Sequence, residues 1–162
     1  MIETDAALAQ EFRQAMRRVA STVNVITICL RGEPMGITAT AMSSLALDPP
    51  SLLVCINRAS SMHGSMGDVS HFGVNVLHAD QEHLARMFAD RQARALRFAS
   101  GWTMDGAAPP RLADAQGFIL CRRIDHHQFG THSIFIGVVE QVAYRDEVAP
   151  LIYLDGSFQG LS

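Results

Sequence analysis

The chain contains no lysine, and all 13 of its basic side chains are arginine. That absence excludes a Schiff-base lysine and the lysine of a Walker phosphate loop. No Gly-x-Ser-x-Gly elbow is present and no cysteine pairs locally with a histidine, which disfavours covalent hydrolysis. No Gly-x-Gly-x-x-Gly follows a strand pattern, so any dinucleotide must be held without a Rossmann fingerprint. Cysteine is scarce: Cys29, Cys55 and Cys121 are odd in number, far apart and set in apolar runs. They read as reduced core residues rather than a disulfide or a metal set. Seven histidines are present, yet His78 and His83 are not at helix-ligand spacing, and no metal site is expected.

Charge and hydropathy narrow the class further. The formal charge of -3 comes without a basic stripe, which argues against a nucleic-acid partner. No apolar run approaches membrane-spanning length, and Met1 to Asp5 is acidic where a secretory signal is basic. A soluble cytoplasmic protein without membrane contact is the expectation. The 162 residues suit one domain covering 1–162, and only 18% of them are charged against 48% hydrophobic. A surface so lean in charge fits a buried subunit interface.

Thr4 or Asp5 can cap a first helix whose stripe of Leu8, Phe12, Ala15, Met16 and Val19 should lie on the core. Residues 23–30, the Arg31-Gly32-Glu33-Pro34 turn and the Gly36 to Ser44 segment read as a first hairpin. After Asp48-Pro49-Pro50, residues 51–57 form a strand apolar enough to be covered on both faces. Phe72 to Leu77 is a fourth strand. Asp80 can cap a short helix carrying Leu84, Met87 and Phe88, and a second helical stretch runs from Gln92 to Phe98. Residues 105–110 are loop, and strands resume at 117–124, 132–142 and 151–154. Many strands with few helices predict a mainly β fold, a closed antiparallel barrel with a few peripheral helices.

The richest stretch is Gly36-Ile37-Thr38-Ala39-Thr40-Ala41-Met42-Ser43-Ser44-Leu45. Small side chains let a flat ligand approach the backbone, while hydroxyls and N–H groups can meet a phosphate with arginine supplying the charge. The competing reading is an ordinary small-residue strand under a helix. Asn57, Arg58, Ser60 and Ser61 follow the next strand, where loops carry function, and Arg58 could be the needed cation or a solvated side chain. His126, His127 and His132 gather around the Phe129-Gly130-Thr131 turn.

Together these segments resemble the short-chain flavin reductases, the reductase components of two-component flavin-dependent monooxygenases with the FMN-binding split-barrel fold. The resemblance covers nearly the whole chain. It is carried by Phe12 to Met16, Val23-Val25-Thr27, the Gly36 to Leu45 stretch, Asp48-Pro49-Pro50, Phe72-Gly73-Val74-Asn75-Val76-Leu77, and Gly130 to Val139. It implies a homodimeric closed split β-barrel in which NADH or NADPH reduces FMN or FAD. The reduced flavin then diffuses to a separate monooxygenase. Thr38, Ala39, Thr40, Ala41, Met42, Ser43, Ser44, Asn57, Arg58 and Ser61 would wrap the flavin, with Asn75 and Arg86 completing the pocket. His132, the catalytic candidate, would sit near the nicotinamide. Thr131 stands where the family usually has aspartate, and residues 151–158 match its usual Tyr-x-x-Gly-x-Tyr ending only in part. Other readings are a split-barrel flavoprotein that keeps its flavin and reduces another acceptor such as a corrin, a non-catalytic flavin-binding module, and a purely structural barrel.

Overall fold

A computed structural model describes residues 5–161 of the chain. Thr4 lies outside them. Asp5 caps α1 (Ala6–Met16), its carboxylate accepting from the amides of Ala7 at 2.9 Å and Leu8 at 3.2 Å. The expectation that α1 lies on the core is corrected: no residue of α1 is buried, and Leu8 and Phe12 are 62% and 64% exposed. The helix is held instead from just past its end, where Arg17 pairs with Asp155 at 2.9 Å and the Asp155 amide donates to the Arg17 carbonyl. A tether at one end leaves the apolar stripe without a partner within one chain.

The remaining elements are β1 (Ser21–Thr22), β2 (Asn24–Leu30), β3 (Glu33–Ala39), β4 (Met42–Leu47), β5 (Pro50–Asn57), α2 (His63–Asp68), β6 (His71–Val76), α3 (Glu82–Ala89), β7 (Trp102–Thr103), β8 (Arg111–Leu112), β9 (Gly117–Phe129), β10 (His132–Tyr144), β11 (Leu151–Leu154) and β12 (Ser157–Gly160). Seven of the strands form one antiparallel sheet in the order β3-β2-β6-β9-β10-β5-β4, with a three-stranded sheet β1-β11-β12 and a β7-β8 pair beside it. The fold is mainly β, as the strand count predicts. Closure is not: among the described residues no ladder joins β3 to β4, so the sheet is not a closed barrel.

The reason lies in the Gly36 to Ser44 segment, which forms two strands rather than one. Arg31 and Gly32, both at positive φ, turn β2 into β3, and Pro34 is tolerated because β3 is an edge that needs no donor there. After Ala39 the chain leaves the β2 ladder, crosses at Thr40 and Ala41, and enters β4, the opposite edge. Asp48 and Pro49 then turn it into β5.

β2 is buried on both faces. Ile26 and Ile28 join Leu52, Val54, Ile56, Met62, Met66, Phe72, Val74 and Phe135 in the core under the curled sheet. Val23 and Val25 point the other way, to Leu77, Leu84, Ala85 and Phe88 beneath α3. Met62 and Met66, four apart, show why residues 63–68 coil into the α2 turn that the periodicity reading overlooked. Gln81, not Asp80, takes the N-cap position of α3, while the Asp80 carboxylate pairs with His78 at 2.7 Å. The expected Gln92 to Phe98 helix shrinks to one 3-10 turn at Arg94–Leu96, and β12 is an additional strand. No helix among the described residues is long and apolar enough to cross a membrane.

β10 curls through two register shifts against β9, and Gly137 sits beside the first of them. A methyl group there would lie 2.6 Å from the Cys121 Cβ and 2.7 Å from the Phe72 ring. Gly137→Ala is expected to cost about 1–3 kcal/mol by overpacking, seen as a lower urea midpoint at unchanged slope. An unchanged midpoint would show that the core yields there.

Candidate functional site

A cleft of about 410 Å³ opens where the chain crosses between the two sheet edges, a volume inside the roughly 300–1,000 Å³ of small-molecule sites. One wall is Ile37 to Ala41, the second is the end of β5 with residues 59–61, and the third is the end of α3 with Arg91 and Arg97. His132 stands at the rim, directly opposite Asn57 in the β10–β5 ladder.

Of the residues singled out from sequence, the cleft brings together Thr38, Ala39, Thr40, Ala41, Asn57, Ser60, Ser61 and His132. Their polar atoms are not equally available. The Thr38 hydroxyl donates to the Ala85 carbonyl at 2.6 Å, so it anchors α3 to β3 and has no proton left for an anion. The Asn57 side chain accepts from the Ala59 amide at 2.9 Å and shapes the loop. Ser60 accepts from the Met62 amide at 3.1 Å and keeps its own proton to give. The Thr131 hydroxyl lies 2.9 Å from His132 Nδ1 and orients the ring.

The other candidates lie elsewhere. Met42 pairs with Val54, and the exposed Ser43 donates to the Ser44 carbonyl at 3.1 Å. Ser44, likewise, does not line the cleft. Arg58 borders a separate cavity behind the 57–59 strip. Asn75 is fully buried and spent: it donates to the carbonyls of Val25 and Pro110, and accepts from the Leu112 amide at 2.8 Å. Arg86 pairs with Glu82 four residues back and covers the Phe158 ring on the outer face of α3.

Sequence reasoning missed Cys55, Phe88, Ala89, Arg91 and Arg97. Arg97 is 6% exposed, with its guanidinium donating to the carbonyls of Gly36 at 2.9 Å, Met87 at 3.3 Å and Asp90 at 2.7 Å. Burial lowers its pKa, with Arg94 adding to the effect, but a guanidinium stays charged. Arg91 donates to the Ala59 carbonyl at 3.2 Å and bridges two walls. The signal was the missing lysine itself, since any anion held by this chain must be met by arginine. Burial raises the Cys55 pKa and pushes that of Cys121 up to about 12, so both are thiols rather than nucleophiles.

Among the described residues the polar lining is hydroxyls, two arginines, Asn57 and His132 with no carboxylate, which is the chemistry of an anion-bearing ligand. The small residues at 39–41 and 59–61 admit a planar body against the backbone. A flavin nucleotide fits both requirements.

Comparison with known proteins accords with this. The flavin reductase like domain model matches residues 16–162. The reductase component of the FADH(2)-dependent resorcinol hydroxylase of Rhizobium sp. (strain MTP-10005) is 36% identical over 93% of this chain and 86% of its own length. An FMN reductase (NADH) of Methylorubrum extorquens, RutF 1, is 37% identical over 99% and 83%. Among solved structures, BorF, the flavin reductase component of a bacterial two-component tryptophan halogenase, superposes with a TM-score of 0.86 at 33% identity, covering 94% of this chain and 98% of its own. The Streptomyces globisporus C-1027 NADH:FAD oxidoreductase SgcE6, in complex with NAD and FAD fragments, gives 0.87 at 27% identity over 100% and 98%. The chain belongs to the flavin reductase-like domain family.

His63, behind the 57–59 strip, bonds the buried Ser133 hydroxyl at 2.8 Å. Its pKa is lowered from 6.5 by burial first, then by Arg58 and His126. The unfolded chain therefore binds this proton more tightly, so the ring's contribution to stability is complete above pH 6.5 and is lost as pH falls through the lowered value. NMR titration is expected to place the His63 midpoint below 6.5 and to move it upward in Arg58→Ala. A midpoint above 6.5 would contradict the burial argument.

Proposed function

We propose that this chain is an NADH-dependent flavin reductase that supplies reduced flavin to a separate monooxygenase. The observation that carries the reading is the cleft at the strand crossing, lined by small residues, free hydroxyls and two arginines without a carboxylate. Names of the relatives support it: they are reductases or reductase components, two with NADH in their names. That pattern favours a flavin that leaves over one retained for a corrin.

A bound flavin supplies N5 as the acceptor of the hydride carried at nicotinamide C4, with the charge at N1 balanced by a proton from water. The protein's part is positioning. Ala39 and Ala41 keep the crossing flat, and Thr40, Ser60 and Ser61 offer O–H donors. Arg91 and Arg97 supply fixed positive charge, with Arg97 pre-oriented by the carbonyls it already holds. Asn57 and His132, neighbours across the β5–β10 ladder, mark the edge where the nicotinamide would meet the flavin. Closely stacked rings with reacting atoms about 3–3.5 Å apart need no nucleophile, consistent with the thiols being protonated. The unburied stripe of α1, including Leu8 and Phe12, supports a homodimer, and the composition supports one cytoplasmic domain.

Steady-state NADH oxidation with added FMN or FAD tests the reading, and absence of turnover with either flavin would sink it. Thr40→Asp places a carboxylate among the cleft's donors and is expected to raise the apparent flavin constant at least about tenfold with little change in melting temperature. His132→Ala is expected to lower turnover with NADH while leaving the flavin constant near its original value. A shift in the flavin constant alone would move His132 to the flavin's side of the site.

A further inference from the structure

The last pair of the β2–β3 ladder sets Asn24 opposite Ala39, the residue at which the chain leaves for the opposite sheet edge. Side chains alternate along β2, so Asn24 lies on the same core side as Ile26 and Ile28, with Ala39 and Val76 as its neighbours across the ladders. It is a polar side chain in an apolar row, and it is 0% exposed. Its amide nitrogen donates to the carbonyls of Thr22 and Ala39, each at 3.2 Å. Those two oxygens fix which way the amide faces, because the reverse orientation would set oxygen against oxygen. Asn24 Oδ1 is then left buried without a partner among the described residues.

A buried acceptor with no donor costs stability, and an aliphatic side chain in the same row would carry no such cost. Packing therefore does not account for Asn24, whereas its two donors do. The next two carbonyls of the crossing are engaged as well: Thr40 accepts from the Met42 amide at 3.0 Å, and Ala41 from the Cys55 amide at 2.9 Å. All three carbonyls from Ala39 to Ala41 are thus tied into the protein. In a planar trans peptide the N–H points opposite the C=O, so the bond from Asn24 to the Ala39 carbonyl aims the Thr40 N–H away from Asn24. Neither the Thr40 nor the Ala41 amide has a backbone partner among the described residues, and both residues line the cleft. Successive free N–H groups of this kind can bind an oxygen acceptor on a ligand.

We infer that Asn24 is a positioning residue for the flavin: through the Ala39 carbonyl it sets the 39–40 peptide so that the Thr40 N–H faces the cleft as a donor to the ligand. Asn24 itself does not line the cleft. The inference rests on the flavin-reductase reading and adds to it a residue behind the wall.

The test compares Asn24→Leu, which keeps the bulk and removes both donors, with Gly137→Ala, which strains the core away from the cleft. Asn24→Leu is expected to raise the FMN dissociation constant about tenfold and to leave the apparent NADH constant within about twofold. Gly137→Ala is expected to leave both constants near their original values. Equal weakening of FMN in the two variants would reduce Asn24 to a general stabiliser and overturn the proposal, as would an unchanged FMN constant in Asn24→Leu. Hydrogen exchange in the wild-type protein tests the same geometry without any variant. Bound FMN is expected to slow exchange of the Thr40 amide at least about tenfold. If the wild-type protein binds no FMN, the flavin reading falls and this inference with it. If FMN binds and the Thr40 amide exchanges as fast as before, the inference falls alone.

Discussion

Two strands adjacent in sequence, β3 and β4, lie at opposite edges of a seven-stranded sheet, and the chain must cross between them at Thr40 and Ala41. That connection governs the rest. Had residues 36–44 continued as one strand, the edge would have carried on along its ladder with no opening at this point. The crossing instead exposes a short run of backbone with small side chains, and the ends of β5 and α3 form walls around it. Curvature in β10, produced by two register shifts, brings its first residue, His132, to the rim while its far end pairs with the start of β9.

The opening is held in shape by buried and half-buried polar side chains that bond to backbone carbonyls of neighbouring elements. Thr38 ties β3 to α3 through the Ala85 carbonyl, Arg97 joins three carbonyls from β3 and the end of α3, and Asn24 reaches the Ala39 carbonyl at 3.2 Å. Thr27 of β2 and Asn75 of the neighbouring β6 fasten the 105–112 segment through the Pro110 carbonyl and the Leu112 amide. Buried donors and acceptors left unpaired cost about 1–3 kcal/mol each, so these networks stabilise one arrangement of the walls against looser ones. The same bonds explain why residues that look ligand-ready in a string of letters are not free in the folded chain.

Much of the β architecture was legible in sequence, because β2, β5, β6 and β10 carry apolar runs bounded by turn residues. The cleft was legible where small and hydroxyl residues cluster, at Thr38 to Ala41 and Asn57 to Ser61. Periodicity could not show that the Gly36 to Ser44 run breaks in the middle, since Thr and Ala fit a strand as well as a crossing. Nor could it show the fate of α1, whose apolar stripe promises burial without saying against which chain. Arg91 and Arg97 escaped notice because they lie beyond α3 in an irregular segment, and only tertiary contact with Gly36 and Ala59 brings them to the site.

The cleft's positive charge comes from arginine alone, and that choice has a consequence for acidity. Guanidinium groups remain ionised across the whole range in which a protein stays folded, so Arg91 and Arg97 cannot switch off. Any acid-induced weakening of ligand binding through the phosphate contact must then originate in the ligand. A terminal phosphate monoester, as in FMN, loses its second charge near pH ~6, whereas the linked phosphates of FAD keep theirs. On the proposed reading, a pH-dependent difference between the two flavins at this contact would come from the ligands themselves, since neither Arg91 nor Arg97 titrates in that range.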